Sequence, residues 1–308
     1  MTVAAQARWD VGFVGIGSMG WPMAARLVGA GHGVRVHDAQ EGLAASFARE
    51  VGGEPAASLR ALAQASDAIV TMLPTSAIVA KVLQDGDDNL LAGMRPGSVV
   101  LEMSSGVPSI TQVLAERVAA LGGHLVDAPV SGGVARAKTG ELAIMAGGDA
   151  AAIDAVEPVL RAMGSLVLRT GRVGSAHAMK ALNNLVSAGG FLIGVEALLI
   201  GQKFGLDPGV MTDVLNASTG MNNATQKKFR QFVISRAFNS GFGLDLMVKD
   251  LSIALDLAKE TATPAPFAAL CRELWASAAA MLGAGHDHTE MARLSERLAA
   301  AELADGGA

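Results

Sequence analysis

Tyrosine is absent from the 308-residue chain, and cysteine occurs once, at Cys271. The first absence excludes every mechanism that needs a phenolic general acid. The second excludes an internal disulfide and a CxxC metal cluster, and it is the cysteine usage expected of a cytoplasmic protein in a reducing compartment. Charge is sparse at 17%, lysine and arginine are scattered, and the formal net charge is -5. That leaves no electrostatic footprint for nucleic acid or for an anionic membrane. Residues 1–10 lack an apolar signal core, and the greasiest run, 185–201, is cut by Glu196 and is short for a bilayer span. What is present is 51% hydrophobic residues with 37 Gly and 10 Pro, the make-up of a compact soluble protein. The length suggests two domains at roughly 150 residues each.

From residue 10 to about 169, short β-type runs alternate with helix-length segments. The predicted strands are 11–15, 34–38, 68–73, 99–103, 125–128, 142–146 and 166–169, most of them rich in Val, Ile or Leu and closed by Gly, Asp or Pro. Between them lie predicted helices such as 19–30 and 108–121, the latter with proline in its first turn and Gly122-Gly123 after its end. This alternation predicts an α/β fold with a mostly parallel sheet of Rossmann type. After Gly171 the strand pattern stops. Residues 175–204 read as one long helix ended by Gly205, and Asp207-Pro208 opens the next. Further helices are expected at 224–236, 244–261, 265–282 and 288–303, the last with Asp287 and Glu290 at capping-box spacing. The expected organisation is a Rossmann domain over 1–171 and an all-α domain over 172–308, joined by the long helix, with 305–308 as a frayed tail.

Residues 12–20 read GFVGIGSMG and contain GxGxxG as Gly15, Gly17 and Gly20, after an apolar strand and before a helix. The first glycine serves the tight turn, the second lets backbone approach a pyrophosphate, and the third lets helix pack on strand. Ser18 and Met19 lie inside this turn and join the three glycines as expected dinucleotide contacts. Asp38 follows eighteen residues after Gly20, at the end of the second strand. An acid there accepts hydrogen bonds from ribose hydroxyls and repels a 2′-phosphate, which favours NAD while leaving NADP possible.

Three stretches then come together: GFVGIGSMGWPMAARL at 12–27, DAPVSGG at 127–133 and GSAHAMKALNN at 174–184. In order and spacing they closely resemble the β-hydroxyacid dehydrogenase family of the 3-hydroxyisobutyrate dehydrogenase type, from about residue 11 to 295. The resemblance implies NAD(P)-dependent interconversion of a 3-hydroxy acid and its semialdehyde. Lys180 and Asn184, four residues apart on one helix, share a face and can meet one substrate hydroxyl. Lys180 is the expected acid-base group, because burial on an apolar helix favours the neutral amine that can take the hydroxyl proton. Ser131, Gly132 and Gly133 offer a hydroxyl and open backbone N–H groups to a carboxylate, and the family uses this stretch for the substrate acid group. Asp127 and Pro129 read as turn-shaping residues without a chemical role. The resemblance further implies cofactor contacts at Leu73, Pro74 and Ser105 and from Lys249, for which pairing with Asp250 or Asp245 is the ordinary alternative.

Departures from the family pattern bear on the substrate. Ile78 stands where relatives can carry an asparagine that touches cofactor. Met221, in STGMN at 218–222, stands where 3-hydroxyisobutyrate enzymes tend to have an arginine. Asn222 and Asn223 fit either a more polar substrate or a solvent loop. His177 reads as a helix-surface or cofactor-edge histidine, and His286 and His288 make a poor metal site without a third ligand. No metal is expected. Residue 183 is asparagine where 6-phosphogluconate dehydrogenases carry histidine, and Lys180 argues against an imine reductase. A reductase of a 2-hydroxy-3-oxopropionate-like or sugar-acid semialdehyde and a non-catalytic NAD-sensing module stand as alternatives. The long, Ala/Leu-rich helical half and the family habit point to a homodimer or homotetramer.

Overall fold

The computed structural model describes residues 8–304. The first part of the chain runs β1 (Asp10–Val14), α1 (Gly20–Gly29), β2 (Gly33–His37), α2 (Leu43–Glu50), β3 (Glu54–Pro55), α3 (Leu59–Gln64), β4 (Ala68–Thr71), α4 (Ser76–Gln84), β5 (Val99–Glu102), α5 (Pro108–Ala120) and β6 (His124–Asp127). It continues through β7 (Val130–Ser131), α6 (Gly133–Thr139), β8 (Ala143–Gly147), α7 (Ala150–Met163) and β9 (Leu166–Gly171). The sheet order is β3-β2-β1-β4-β5-β6-β8-β7, with β9 on β8. Pairing is parallel from β3 to β6; β8 runs antiparallel to β6 and β7, and β9 runs parallel to β8. This is the expected Rossmann arrangement, and the order reverses between β1 and β4, where such sheets open a ligand crevice.

Strands β4 and β5 are buried along their whole length, as parallel strands covered on both faces must be. One face packs Phe13, Met23, Leu27 and Phe47, and the other Leu62, Ile69, Leu83 and Leu114. The two-residue strands β3 and β7 were not expected, since a two-residue run carries no readable period.

Helix α8 (Ser175–Phe204) is followed by α9 (Pro208–Asn216), α10 (Asn223–Lys227), α11 (Leu244–Glu260), α12 (Pro266–Leu282) and α13 (Ala292–Ala299). The chain divides into two compact units at Lys180/Ala181, inside α8. The core of the second unit is built on Phe191, Phe229 and Trp275, with Phe191 ring centroids 5.6 and 5.7 Å from the other two. Gly194 lets Phe229 approach α8, because a Cβ there would lie 2.5 Å from the ring.

Two helices expected as single pieces are divided. Residues 224–236 become α10 followed by a π-helical segment, Phe229–Ile234. Residues 288–303 become the 3-10 turn His288–Met291, opened by the expected Asp287/Glu290 capping box, and then α13, which ends at Ala299. The expected tail at 305–308 and residues 1–7 of the N-terminal segment lie outside the described residues.

Candidate active site

The glycine turn leaves β1 under steric constraint. Gly15 has φ +91°, a Cβ on it would strike the Met72 carbonyl, and one on Gly20 would strike the carbonyl of Gly15. Beside Gly17 there is nothing within 4 Å, which is the open cradle a pyrophosphate needs. Ser18 is exposed and Met19 half-buried at the start of α1. Asp38 closes the turn from β2: its Oδ2 accepts from the Ile16 N–H at 2.8 Å and its Oδ1 from the Gln40 N–H at 2.9 Å. Each oxygen keeps a second lone pair for a ribose hydroxyl.

Leu73 and Pro74 leave the end of β4 and Ser105 the end of β5. The two loops are tied by the Leu73 N–H donating to Ser104 Oγ at 2.9 Å. All of these residues follow the carboxyl ends of parallel strands, the edge at which such sheets bind nucleotides. The residues present therefore fit a dinucleotide.

Lys180 is fixed by two buried devices at the start of α8. The Asp127 carboxylate, fully buried at the end of β6, accepts from the N–H groups of Gly174 (2.8 Å), Ala176 (2.8 Å) and His177 (2.9 Å). Burial pushes its carboxyl above the ordinary range, against the pull of His177 and these N–H groups. Asp127 is thus the anchor of the helix that carries Lys180, which corrects its reading as a mere turn residue. The second device is His177, buried rather than on the helix surface as expected: its Nε2 lies 2.8 Å from Glu102 Oε2, and its Nδ1 2.9 Å from Thr111 Oγ1. Burial alone would lower the His177 pKa, but the facing Glu102 carboxylate, with Asp127 beyond it, outweighs that and raises it. Gly106 makes room, since a Cβ there would sit 2.6 Å from the imidazole.

Three residues after His177, Lys180 donates from Nζ to the Val130 carbonyl at 2.9 Å. That carbonyl immediately precedes Ser131, Gly132 and Gly133. These three are not a plain loop: Ser131 ends β7, Gly132 (φ +133°) is the cap, and Gly133 (φ +66°) opens α6. Both glycines are exposed with positive φ, next to the carbonyl that takes the Lys180 ammonium, and consecutive N–H groups in such a turn suit an anion.

In the second unit, Asn184 is buried, and its Nδ2 donates to Asp250 Oδ2 at 2.6 Å while its Oδ1 accepts from Asn183 Nδ2 at 3.2 Å. Lys249 lies 3.4 Å from the other Asp250 oxygen, which is the ordinary pairing weighed for it. Asn222 is a capping residue: its Oδ1 accepts from Ala224 N at 2.8 Å and Thr225 N at 3.2 Å, and Asn223 is exposed. Met221 is also exposed. Sequence reasoning missed the parts played by Glu102 and Asp250. Their signal was an acid set among apolar residues, at the end of VVLE in β5 and, beside Lys249, in LMVKDL of α11, a pattern that asks for a partner.

The glycine turn, Asp38 and the loops after β4 and β5 define a dinucleotide-binding protein. Residues 10–173 match the model of the NAD binding domain of 6-phosphogluconate dehydrogenase, and residues 174–295 that of the NAD-binding of NADP-dependent 3-hydroxyisobutyrate dehydrogenase. The chain is 34% identical to 2-(hydroxymethyl)glutarate dehydrogenase of Eubacterium barkeri, over 96% of this chain and 98% of that one. It is 34% identical to 2-hydroxy-3-oxopropionate reductase of Escherichia coli K12, over 96% and 99%. The structure of Mycobacterium tuberculosis 3-hydroxyisobutyrate dehydrogenase with L-serine superposes with a TM-score of 0.85 at 31% identity, covering 95% of this chain and 99% of that one. The chain belongs to the β-hydroxyacid dehydrogenase family, of the 3-hydroxyisobutyrate dehydrogenase type.

Proposed function

We propose that the protein interconverts a small 3-hydroxy carboxylic acid and its semialdehyde, with NAD preferred and Lys180 as the general acid-base group. The observation that carries this reading is the 2.9 Å hydrogen bond from Lys180 Nζ to the Val130 carbonyl. It holds the amine beside Ser131, Gly132 and Gly133, so a carboxylate taken by those N–H groups brings its β-carbon within reach of the lysine. In the oxidative direction Lys180 takes the hydroxyl proton; in the reductive direction its ammonium returns it. Asn184, four residues on, orients the same hydroxyl with the N–H not used on Asp250. Bound nicotinamide supplies the two-electron acceptor or donor. Asp38, on the ribose side, supports NAD.

Relatives named for 2-(hydroxymethyl)glutarate, 2-hydroxy-3-oxopropionate and 3-hydroxyisobutyrate share the reaction type and differ in the group attached to the reacting carbon skeleton. Initial rates with NAD and NADP over 3-hydroxyisobutyrate, 3-hydroxypropionate, serine, glycerate and 2-(hydroxymethyl)glutarate test the reading. Turnover of at least one is expected. Tight NADH binding with no turnover of any would favour the sensing module instead.

A homo-oligomer is part of the same reading. Val186, Ile193 and Ile200, seven residues apart on α8, are 76, 56 and 71% exposed, an apolar stripe that a second copy would cover. A single-copy mass by light scattering would contradict this.

A further inference from the structure

One face of α8 carries Lys180, Asn184, Ser187 and Phe191 in turn, at the spacing that aligns side chains along a helix. Ser187 is three residues beyond Asn184, about 4.5 Å along the axis. Against this part of the face lies Lys228, whose Nζ donates to Ser187 Oγ at 3.3 Å and stands 5.9 Å from the centre of the Phe191 ring. Lys228 occupies the single-residue break between α10 and the π-helical segment that follows. Short π segments recur at functional sites.

The ammonium is half-buried, and among the described residues no carboxylate pairs with it. The charged and titratable groups that face it are Asp287 and His288. Asp287 is already committed, accepting from Ser240 Oγ, Gly241 N, Thr289 N and Thr289 Oγ1. His288 is held neutral by burial, with its Nδ1 at Ser240 Oγ and the Phe242 carbonyl. Burial accordingly lowers the Lys228 pKa to about 8, with Asp287 pulling weakly the other way. A half-buried cation in contact with a hydroxyl and a ring, and facing a carboxylate committed elsewhere, is a costly feature, since such charges are ordinarily paired. An incoming anion would repair it.

We infer that Lys228 and Ser187 form a subsite for a second anionic group on the substrate, which makes the preferred substrate a 3-hydroxy acid carrying a distal carboxylate. The inference rests on the hydroxy-acid reading above. The cation that contacts the distal group is Lys228, held at Ser187 Oγ, while Met221 supplies no charge. A chain of two or three carbons beyond the reacting skeleton spans the helical turn from Asn184 to Ser187.

The test is the ratio of kcat/KM for 2-(hydroxymethyl)glutarate to that for 3-hydroxyisobutyrate, measured with NAD on the full-length protein, on Lys228→Met and on Lys228→Arg. The wild-type ratio is expected to exceed 10, to fall at least 30-fold in Lys228→Met chiefly through KM, and to recover in part in Lys228→Arg. A wild-type ratio near or below 1, or a ratio that Lys228→Met leaves in place, would overturn the subsite. Calorimetric binding of glutarate and of butyrate to the NADH complex separates the two claims. If no hydroxy acid turns over, the proposed reaction fails. The subsite then stands on glutarate binding at least tenfold tighter than butyrate with that margin lost in Lys228→Met, and equal affinities overturn it without any variant.

Discussion

Asn184 and Asp250 meet through a 2.6 Å hydrogen bond in which a buried carboxylate from α11 fixes the amide of an α8 residue. The carboxylate can only accept, so the Asn184 Nδ2 must face it, and the other N–H of that nitrogen has a defined direction. In the reaction proposed above, the amide offered to the substrate hydroxyl is thereby oriented before any substrate arrives. Such preorganisation is where positioning residues contribute to rate.

Replacing Asp250 with Ala removes that constraint. We expect kcat to fall roughly 10- to 100-fold, the range of a misplaced catalytic contact, with far-ultraviolet circular dichroism unchanged. Asp250→Asn, which keeps the volume and one acceptor, should recover part of the loss. Equal activity in the Ala variant and the wild type would show that Asn184 needs no such support.

The His177–Glu102 pair makes stability depend on pH in a stated direction. The His177 pKa is raised above its ordinary 6.5 in the folded protein, so the folded state holds the proton more tightly than the unfolded chain. Its contribution is complete below pH 6.5 and is lost as pH rises through the raised value. Thermal melts of His177→Gln should therefore show the largest deficit against wild type near pH 6, several degrees in Tm, narrowing toward pH 9. A deficit that widens with pH would contradict the assigned charge state.

The proposed preference for NAD rests on Asp38. The double substitution Asp38→Ser and Ala39→Arg should raise the NADP-to-NAD ratio of kcat/KM at least tenfold, since it removes the anion and supplies a cation for the 2′-phosphate. Asp38 also holds the Ile16 N–H, so serine, which can still accept that bond, is the fitting replacement. An unchanged ratio would remove Asp38 from coenzyme selection.

Much of the fold and part of this site were legible in the sequence, for reasons visible in particular residues. The GxGxxG turn reads clearly because a strand end, a helix start and a later acid constrain one another; the structure gives Gly15 and Gly20 a steric reason and leaves open space beside Gly17. Helix starts at Asp207 and Asp287 were legible because capping chemistry is local. The burial of His177 was not, because its partner Glu102 lies 75 residues earlier in the chain and only the packing of the start of α8 on the end of β5 brings them together. The same holds for Asp127, whose acceptors serve N–H groups some fifty residues on, and for Asp250 on Asn184. The division at Lys228 into α10 and a π segment is one that no periodicity announces.

The central claim, that Lys180 moves the proton, is tested most directly by Lys180→Ala. The measurement is kcat with the best substrate of the panel, alongside NADH affinity by fluorescence titration. The account predicts kcat lower by roughly two to four orders of magnitude, the usual reach of a general acid-base group, with NADH affinity within about threefold of wild type. Turnover close to the wild-type rate in that variant would contradict it and assign proton transfer to another group.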